Sequence, residues 1–203
     1  MPPRRNMLKT AAALTAAGIF SPWQLVWANP QKSRFRIGAC DWSIGMRGEI
    51  GSLARAREIG LDGVQLSFIK DETSSTLYDK NLRKSYLNEA KKQGVAVGGI
   101  ALGILNQIPY KSDPRAEQWV LESIPAAKKM GVGVILVAFF GDGDIKGDEA
   151  GTQEVIRRLK IAAPLAEKNG IILGIESWLS AEEHVAIMEA VGSPNVQVYY
   201  DVA

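Results

Sequence analysis

The sequence predicts an α/β fold in which about six parallel strands form an incomplete (β/α)8 TIM barrel. Three observations lead to this fold class: one short motif closes four helical stretches, an apolar run follows each of them, and polar residues stand where these runs end. Continuous apolar runs that alternate with helices are typical of a parallel sheet buried on both faces.

The helical stretches end in the motif A-x-[KE]-x-G, which occurs at residues 56–60, 90–94, 127–131 and 166–170. In this motif a small residue lets the helix lie close to a sheet, a long charged side chain faces water, and glycine takes the left-handed position after the helix. Two of these helices also share a proline six residues before the closing glycine, Pro125 and Pro164. An interior proline normally kinks a helix, so the shared spacing favours a common architecture.

The predicted strands lie 25 to 38 residues apart, a spacing sufficient for one strand, one helix and their loops. They are centred near Ile37, Val64, Val97, Ile135, Leu173 and Val198. Both an open doubly wound sheet and a barrel fit this order. No glycine-rich phosphate loop follows the first strand, where residues 40–45 read CDWSIG, and this favours the barrel.

Polar residues close the predicted strands, as expected at the face of a barrel where chemistry takes place. They are Asp41, Ser67, Asn106, Asp142, Glu176 and Asp201. A barrel of this kind needs about 250 residues, whereas residues 34–203 hold only strands one to six. We therefore expect the chain to be part of a longer barrel whose seventh and eighth strands lie beyond it.

The amino-acid composition and net charge indicate which kinds of partner the protein can bind. The 203 residues are 46% hydrophobic, with a formal net charge of +2 that becomes −1 when residues 1–28 are left out, because 21 basic and 22 acidic residues remain. This balance argues against a nucleic-acid partner. The single cysteine, Cys40, permits no intrachain disulfide. A small molecule is the expected partner, and a homo-oligomer is compatible with the composition.

Residues 1–28 are predicted to be a signal peptide. Arg4 and Arg5 precede a mild, alanine-rich apolar run at residues 10–20, and this order resembles the twin-arginine export motif. The run is shorter than the ~20 residues that span a bilayer, so no stable membrane insertion is expected. The resemblance implies export to the periplasm, or otherwise out of the cytoplasm, of an already folded protein.

Two carboxylates stand at the ends of the fifth and sixth strands, in GIES and YYDV. Alternation places Gly174 and Glu176 on one face of the fifth strand, and Tyr199 and Asp201 on one face of the sixth. Adjacent strands lie ~4.8 Å apart, so both acids can enter one pocket, where they repel unless a proton or a cation lies between them. A hard divalent metal would remove this conflict; the alternative is that both acids cap the following helices.

The helix-end motif, GIES and YYDV together resemble the xylose isomerase-like TIM-barrel superfamily, over about residues 34–203. The resemblance implies a divalent-metal-dependent (Mn²⁺, Mg²⁺ or Co²⁺) sugar or sugar-phosphate isomerase or epimerase that transfers a proton next to a carbonyl. It also implies that Glu176 is both metal ligand and catalytic acid/base, and that Asp201 is a metal ligand. A histidine and a glutamate from strands seven and eight would complete the site, so the present residues alone are expected to be inactive.

Further residues are candidates for substrate binding. Trp42 follows the first strand and could stack on a sugar ring, although a packing role is equally compatible. Gln65 and Ser67 alternate with apolar residues and are expected at the barrel mouth, and Phe140 closes the fourth strand before a flexible loop. His184 is expected on the solvent side of the helix after the fifth strand. Two alternatives stay open: a lyase of the inosose dehydratase kind, and a non-catalytic periplasmic sugar-binding barrel.

Overall fold

The structure, a computed structural model, describes residues 35–201. The signal peptide predicted over residues 1–28 lies outside the described residues. Six parallel strands form one sheet, and their order in space is their order along the chain. They are β1 (Gly38–Cys40), β2 (Gly63–Ser67), β3 (Ala96–Leu102), β4 (Val134–Phe139), β5 (Ile172–Ser177) and β6 (Val196–Val198).

The sheet is an unclosed barrel within residues 35–201, because β1 pairs only with β2 and β6 pairs only with β5. The fold class and the six strands are therefore confirmed. The first strand is shorter than its apolar run suggests: Ile37 lies one residue before β1 and is 61% exposed. Ile37 is held to Asp62, the residue before β2, by two bonds: its backbone N–H donates to the Asp62 side chain, and its carbonyl oxygen accepts from the Asp62 backbone N–H.

Five helices cover the outer face of the sheet: α1 (Ser52–Glu58), α2 (Lys80–Gln93), α3 (Pro114–Met130), α4 (Glu149–Asn169) and α5 (Ala181–Val191). The closing motif acts as predicted in α2, α3 and α4, which each end at the left-handed glycine that completes the motif. In α1 the C-cap is Ile59, and the left-handed Gly60 follows one residue later. Pro125 and Pro164 both lie inside their helices. Of the helices between residues 35 and 201, none combines the length and the apolar character that a membrane span requires.

Side chains alternate across the sheet and divide it into two faces. On β4, Ile135, Val137 and Phe139 enter the main core between sheet and helices, whereas Leu136 and Ala138 face the barrel interior. Burying each large aliphatic or aromatic side chain contributes about 1.5–3 kcal/mol, so the outer face provides most of the stability. The inner face carries small and polar residues, and this leaves room for a pocket.

Candidate active site

A pocket of about 290 Å³ opens on the inner face at the carboxyl ends of the strands. Its lining includes side chains that β1, β2, β4, β5 and β6 carry inward or that directly follow these strands: Cys40, Trp42, Gln65, Leu136, Ala138, Phe140, Glu176, Tyr199 and Asp201. A larger groove of about 380 Å³ lies between α4 and α5. That groove contains none of the inward-facing side chains of the strands. A third pocket, of about 530 Å³, adjoins the interior one and shares Phe140, Glu176, Tyr199 and Asp201 with it. The interior pocket, which collects side chains from five strands, is the candidate site.

Glu176 and Asp201 converge in this pocket. β5 and β6 run parallel and in register up to Ile175 and Val198, and the backbone N–H of Tyr199 continues the ladder to Ile175. Glu176 is partly buried. Burial raises the pKa of the Glu176 carboxyl, and the negative charge of Asp201 together with a hydrogen bond between the two side chains raises it further. The strand alternation in the sequence predicts this convergence.

The acid pair fits a divalent cation. Two carboxylates at hydrogen-bonding distance are stable only with a proton or a cation between them, and carboxylate oxygens are the ligands that hard divalent metals prefer. Within residues 35–201 there is no group of three or more histidine, cysteine, aspartate or glutamate residues that could hold a metal ion. Glu176 and Asp201 would therefore supply part of a coordination shell.

A chain of hydrogen bonds crosses the floor of the pocket. The Cys40 thiol donates to Gln65 Oε1 at 3.0 Å, and Gln65 Nε2 donates to the Tyr199 hydroxyl oxygen at 3.3 Å. Burial raises the pKa of Cys40 to about 11, with a further contribution from the charge of Asp41, so this thiol is a hydrogen-bond donor rather than a nucleophile. Burial also raises the pKa of the Tyr199 phenol, which therefore keeps its proton at neutral pH.

Aromatic side chains and one cation form the mouth of the pocket. Trp42 lines it, and the Arg47 guanidinium lies 6.0 Å from the centroid of the Trp42 ring. Phe140 meets Trp178 in an edge-to-face contact with 5.2 Å between the ring centroids. Arg47 is the one cation in the lining of the pocket as the structure describes it. The pocket lining therefore combines aromatic rings and a positive charge with the acid pair.

Ser67 does not line this pocket, which differs from its predicted position at the mouth. Its hydroxyl donates to Asp41 Oδ1 at 2.8 Å, and the residue is only 8% exposed. The other oxygen of Asp41 accepts from the backbone N–H groups of Ser67 and Gly48, at 2.8 and 3.0 Å. A fully buried carboxylate that accepts three hydrogen bonds fixes the loop after β1 against the end of β2. Asp41 and Ser67 therefore hold the loop that carries Trp42 in place, without lining the pocket themselves.

The prediction that His184 faces solvent is wrong. Its imidazole is 7% exposed, with Nδ1 2.9 Å from the Ser180 carbonyl oxygen and Nε2 3.0 Å from Ser177 Oγ. Ser180 also caps α5 in a reciprocal arrangement with Glu183. His184 thus turns inward because the loop that follows Glu176 offers partners to both of its ring nitrogens. Sequence reasoning missed it because the helical position alone does not reveal those partners.

The fold and this site define a class of protein. A family model for the xylose isomerase-like TIM barrel matches residues 53–203. The chain belongs to this family, as the sequence resemblance implies.

Individual relatives are consistent with that class. The chain is 30% identical over 168 residues to a 2-epi-5-epi-valiolone 7-phosphate 2-epimerase of Actinoplanes sp., a match that covers 82% of this chain and 61% of the relative. The chain thus spans about three fifths of the length of that curated relative.

Solved structures show the same fold at low identity. One is a xylose isomerase-like TIM barrel protein from Mycobacterium smegmatis in complex with magnesium, with a TM-score of 0.66, 15% identity, and coverage of 83% of this chain and 65% of the other. Another is D-psicose 3-epimerase from Clostridium cellulolyticum H10 with D-tagatose, with a TM-score of 0.61, 15% identity, and coverage of 81% and 62%.

Proposed function

We propose that the full-length protein is a divalent-metal-dependent isomerase or epimerase of a sugar or sugar phosphate. The observation that carries this proposal is the meeting of Glu176 and Asp201 in one inner-face pocket. The names of the relatives support the reaction class, since several are epimerases.

Glu176 is the residue that would take a proton from the carbon next to the substrate carbonyl. It lies at the end of β5, and partial burial beside Asp201 raises its pKa above the ordinary value of 4.5, which makes its carboxylate a stronger base. Asp201 would act as ligand only. A bound Mn²⁺, Mg²⁺ or Co²⁺ held by these two side chains would polarise the carbonyl and so acidify that C–H bond. A second acid/base residue would come from beyond the described strands.

The mouth of the pocket favours a phosphorylated substrate over a free sugar. Trp42 and Phe140 line the pocket, where aromatic rings can pack against the apolar side of a sugar ring. Arg47 carries a guanidinium whose fork of donors matches phosphate, and no described carboxylate lies within ion-pair distance of it. The curated relative acts on a 7-phosphate, as its name states. Arg47 would therefore hold the phosphate while the acid pair acts on the carbonyl end.

We also propose that the protein is exported through the twin-arginine route, on the basis of Arg4 and Arg5 and the apolar run behind them. Such a route carries folded proteins, which is compatible with a site that is assembled from several strands before export.

Proton exchange tests the reaction. The full-length protein is incubated in D₂O with Mn²⁺ and a panel of free and phosphorylated sugars, and deuterium incorporation next to the carbonyl is followed by NMR. Loss of a general base lowers rates by about 10²–10⁴-fold, so the exchange rate of the Glu176→Gln variant should be lower than that of wild type by this factor. Glu189→Gln, at an exposed position on α5, is the matched control and should keep the wild-type rate.

The same assay separates the alternatives. Exchange that persists in Glu176→Gln would contradict the assigned role of the residue. A dehydrated product would indicate the lyase reaction instead, and binding of a sugar without any exchange would indicate a non-catalytic barrel. The substrate class is tested with Arg47→Met, which should weaken the binding of phosphorylated sugars and leave the binding of free sugars unchanged.

A further inference from the structure

We propose that Tyr199 donates a hydrogen bond to a substrate oxygen at the floor of the pocket, and that Gln65 is a positioning residue that orients the Tyr199 hydroxyl. This inference rests on the proposed function and deepens it, because it adds a substrate-binding group to the same site. It also changes the role of Gln65 from the direct substrate contact that the sequence predicts.

The orientation follows from the hydrogen bonds on both sides of the Gln65 amide. Its oxygen accepts from the Cys40 thiol at 3.0 Å, and its nitrogen donates to the Tyr199 oxygen at 3.3 Å. A phenol both donates and accepts, and here Gln65 occupies an accepting position on the oxygen. The O–H bond of Tyr199 must therefore point away from Gln65. Among residues 35–201 no hydrogen bond from this hydroxyl to a protein acceptor is formed, so a ligand oxygen can receive it.

Two glycines make room for this pair of side chains. A Cβ added at Gly174 would lie 3.0 Å from Tyr199 Cβ and 3.1 Å from its Cδ2, and one added at Gly99 would lie 3.2 Å from Gln65 Nε2. Neither glycine has a positive φ, so the backbone conformation does not require glycine at either position. The missing side chains instead let the Tyr199 ring lie against β5 and the Gln65 amide lie against β3.

The position of Tyr199 relative to the acid pair gives the hydrogen bond its use. Tyr199 faces the same pocket as Glu176 and Asp201, and its ring packs on the small inner cluster that includes Leu136 and Ala138. A sugar held at the acid pair presents several hydroxyl groups along its chain or ring. A donor fixed at the floor of the pocket can bind one of these oxygens and so set which carbon lies next to Glu176.

A purely structural link between β2 and β6 is the competing explanation. Such a link would lower stability when broken, but it would leave substrate affinity unchanged and would not couple the two residues in catalysis. The test therefore measures kcat/KM, KM and unfolding separately in the full-length, metal-loaded protein. The variants are Tyr199→Phe, Gln65→Met and the double variant. Tyr200→Phe is the matched control, since Tyr200 is adjacent in sequence but 82% exposed.

A neutral hydrogen bond contributes about 0.5–1.5 kcal/mol, so Tyr199→Phe should lower kcat/KM by roughly 2- to 13-fold, mainly through KM. Gln65→Met should lower kcat/KM to a similar extent, and it should have no further effect in the Tyr199→Phe background. Binding of the sugar alcohol made from the reactive sugar, measured by calorimetry, should weaken in parallel. Tyr200→Phe should behave as wild type.

The outcomes separate this inference from the proposed function. If wild type is active, Glu176→Gln is not, and Tyr199→Phe matches wild type in kcat/KM and in sugar-alcohol affinity, only the present inference is overturned. If the losses of Tyr199→Phe and Gln65→Met multiply in the double variant, Gln65 does not act through Tyr199. If wild type neither binds nor exchanges any sugar, the proposed function is overturned, and with it the substrate oxygen that Tyr199 would bind.

Discussion

Replacing Gly174 by alanine should destabilise the protein because the Tyr199 ring occupies the space that the new methyl group needs. The added Cβ would lie 3.0 Å from Tyr199 Cβ, which is closer than ordinary van der Waals contact, and overpacking of this kind costs about 1–3 kcal/mol. Alanine also restricts the unfolded chain, which contributes about 0.4–1 kcal/mol in the opposite direction where the backbone tolerates it. The net loss of stability is therefore roughly 0–2.6 kcal/mol.

Gly133→Ala isolates the packing contribution. An added Cβ at Gly133 meets nothing within 4 Å, and this glycine has no positive φ. The control should gain about 0.4–1 kcal/mol, so the two variants should differ by the overpacking term of about 1–3 kcal/mol. In thermal unfolding followed by circular dichroism, this difference corresponds to a Tm gap of roughly 2–12 °C. Equal midpoints for the two variants would refute the argument that Gly174 is needed for the Tyr199 ring.

Three further outcomes are expected. The pKa of Glu176 is raised in the folded state, so the metal-free protein should lose stability as the pH rises from 4.5 through the raised pKa, whereas the Glu176→Gln variant should not. The free energy of unfolding is measured in urea at each pH, and the same pH dependence in wild type and variant would contradict this. Asp41→Asn weakens a buried acceptor of three hydrogen bonds and should destabilise by about 1.5–3 kcal/mol, measured by urea unfolding; a midpoint equal to wild type would show that the charge is dispensable. Lysine at both Arg4 and Arg5 should retain the protein in the cytoplasm on cell fractionation, and unchanged export would show that the motif is incidental.

Much of the fold can be predicted from the sequence because its signals are local. The motif at each helix end needs only a glycine that accepts a left-handed conformation, and α2, α3 and α4 end at these glycines. The pairing of Glu176 and Asp201 is also within reach of sequence reasoning, because strand alternation and the order of a parallel sheet determine where both side chains point.

The remaining parts of the site depend on partners distant in sequence. Ser67 alternates as an inward residue should, but Asp41, 26 residues earlier, takes its hydroxyl. His184 occupies a helical position that reads as exposed until the loop after β5 provides partners for its ring. Tyr199 reads as one more aromatic residue in an apolar run, and only the bond from Gln65 shows how its hydroxyl is oriented.

The order of the strands has a consequence for biosynthesis. Each strand pairs with the one before it, so a chain emerging from the ribosome can add one βα unit at a time to a growing sheet. The hydrogen bond between Gln65 and Tyr199 joins residues 134 positions apart. Asp201 follows the last described strand, so neither this hydrogen bond nor the pair of Glu176 and Asp201 can form until β6 has been made. A nascent chain that ends before β6 would therefore have most of its core but neither the floor nor the acid pair of its pocket. Binding of the proposed metal at this site would thus be a late event, after most of the fold has already formed.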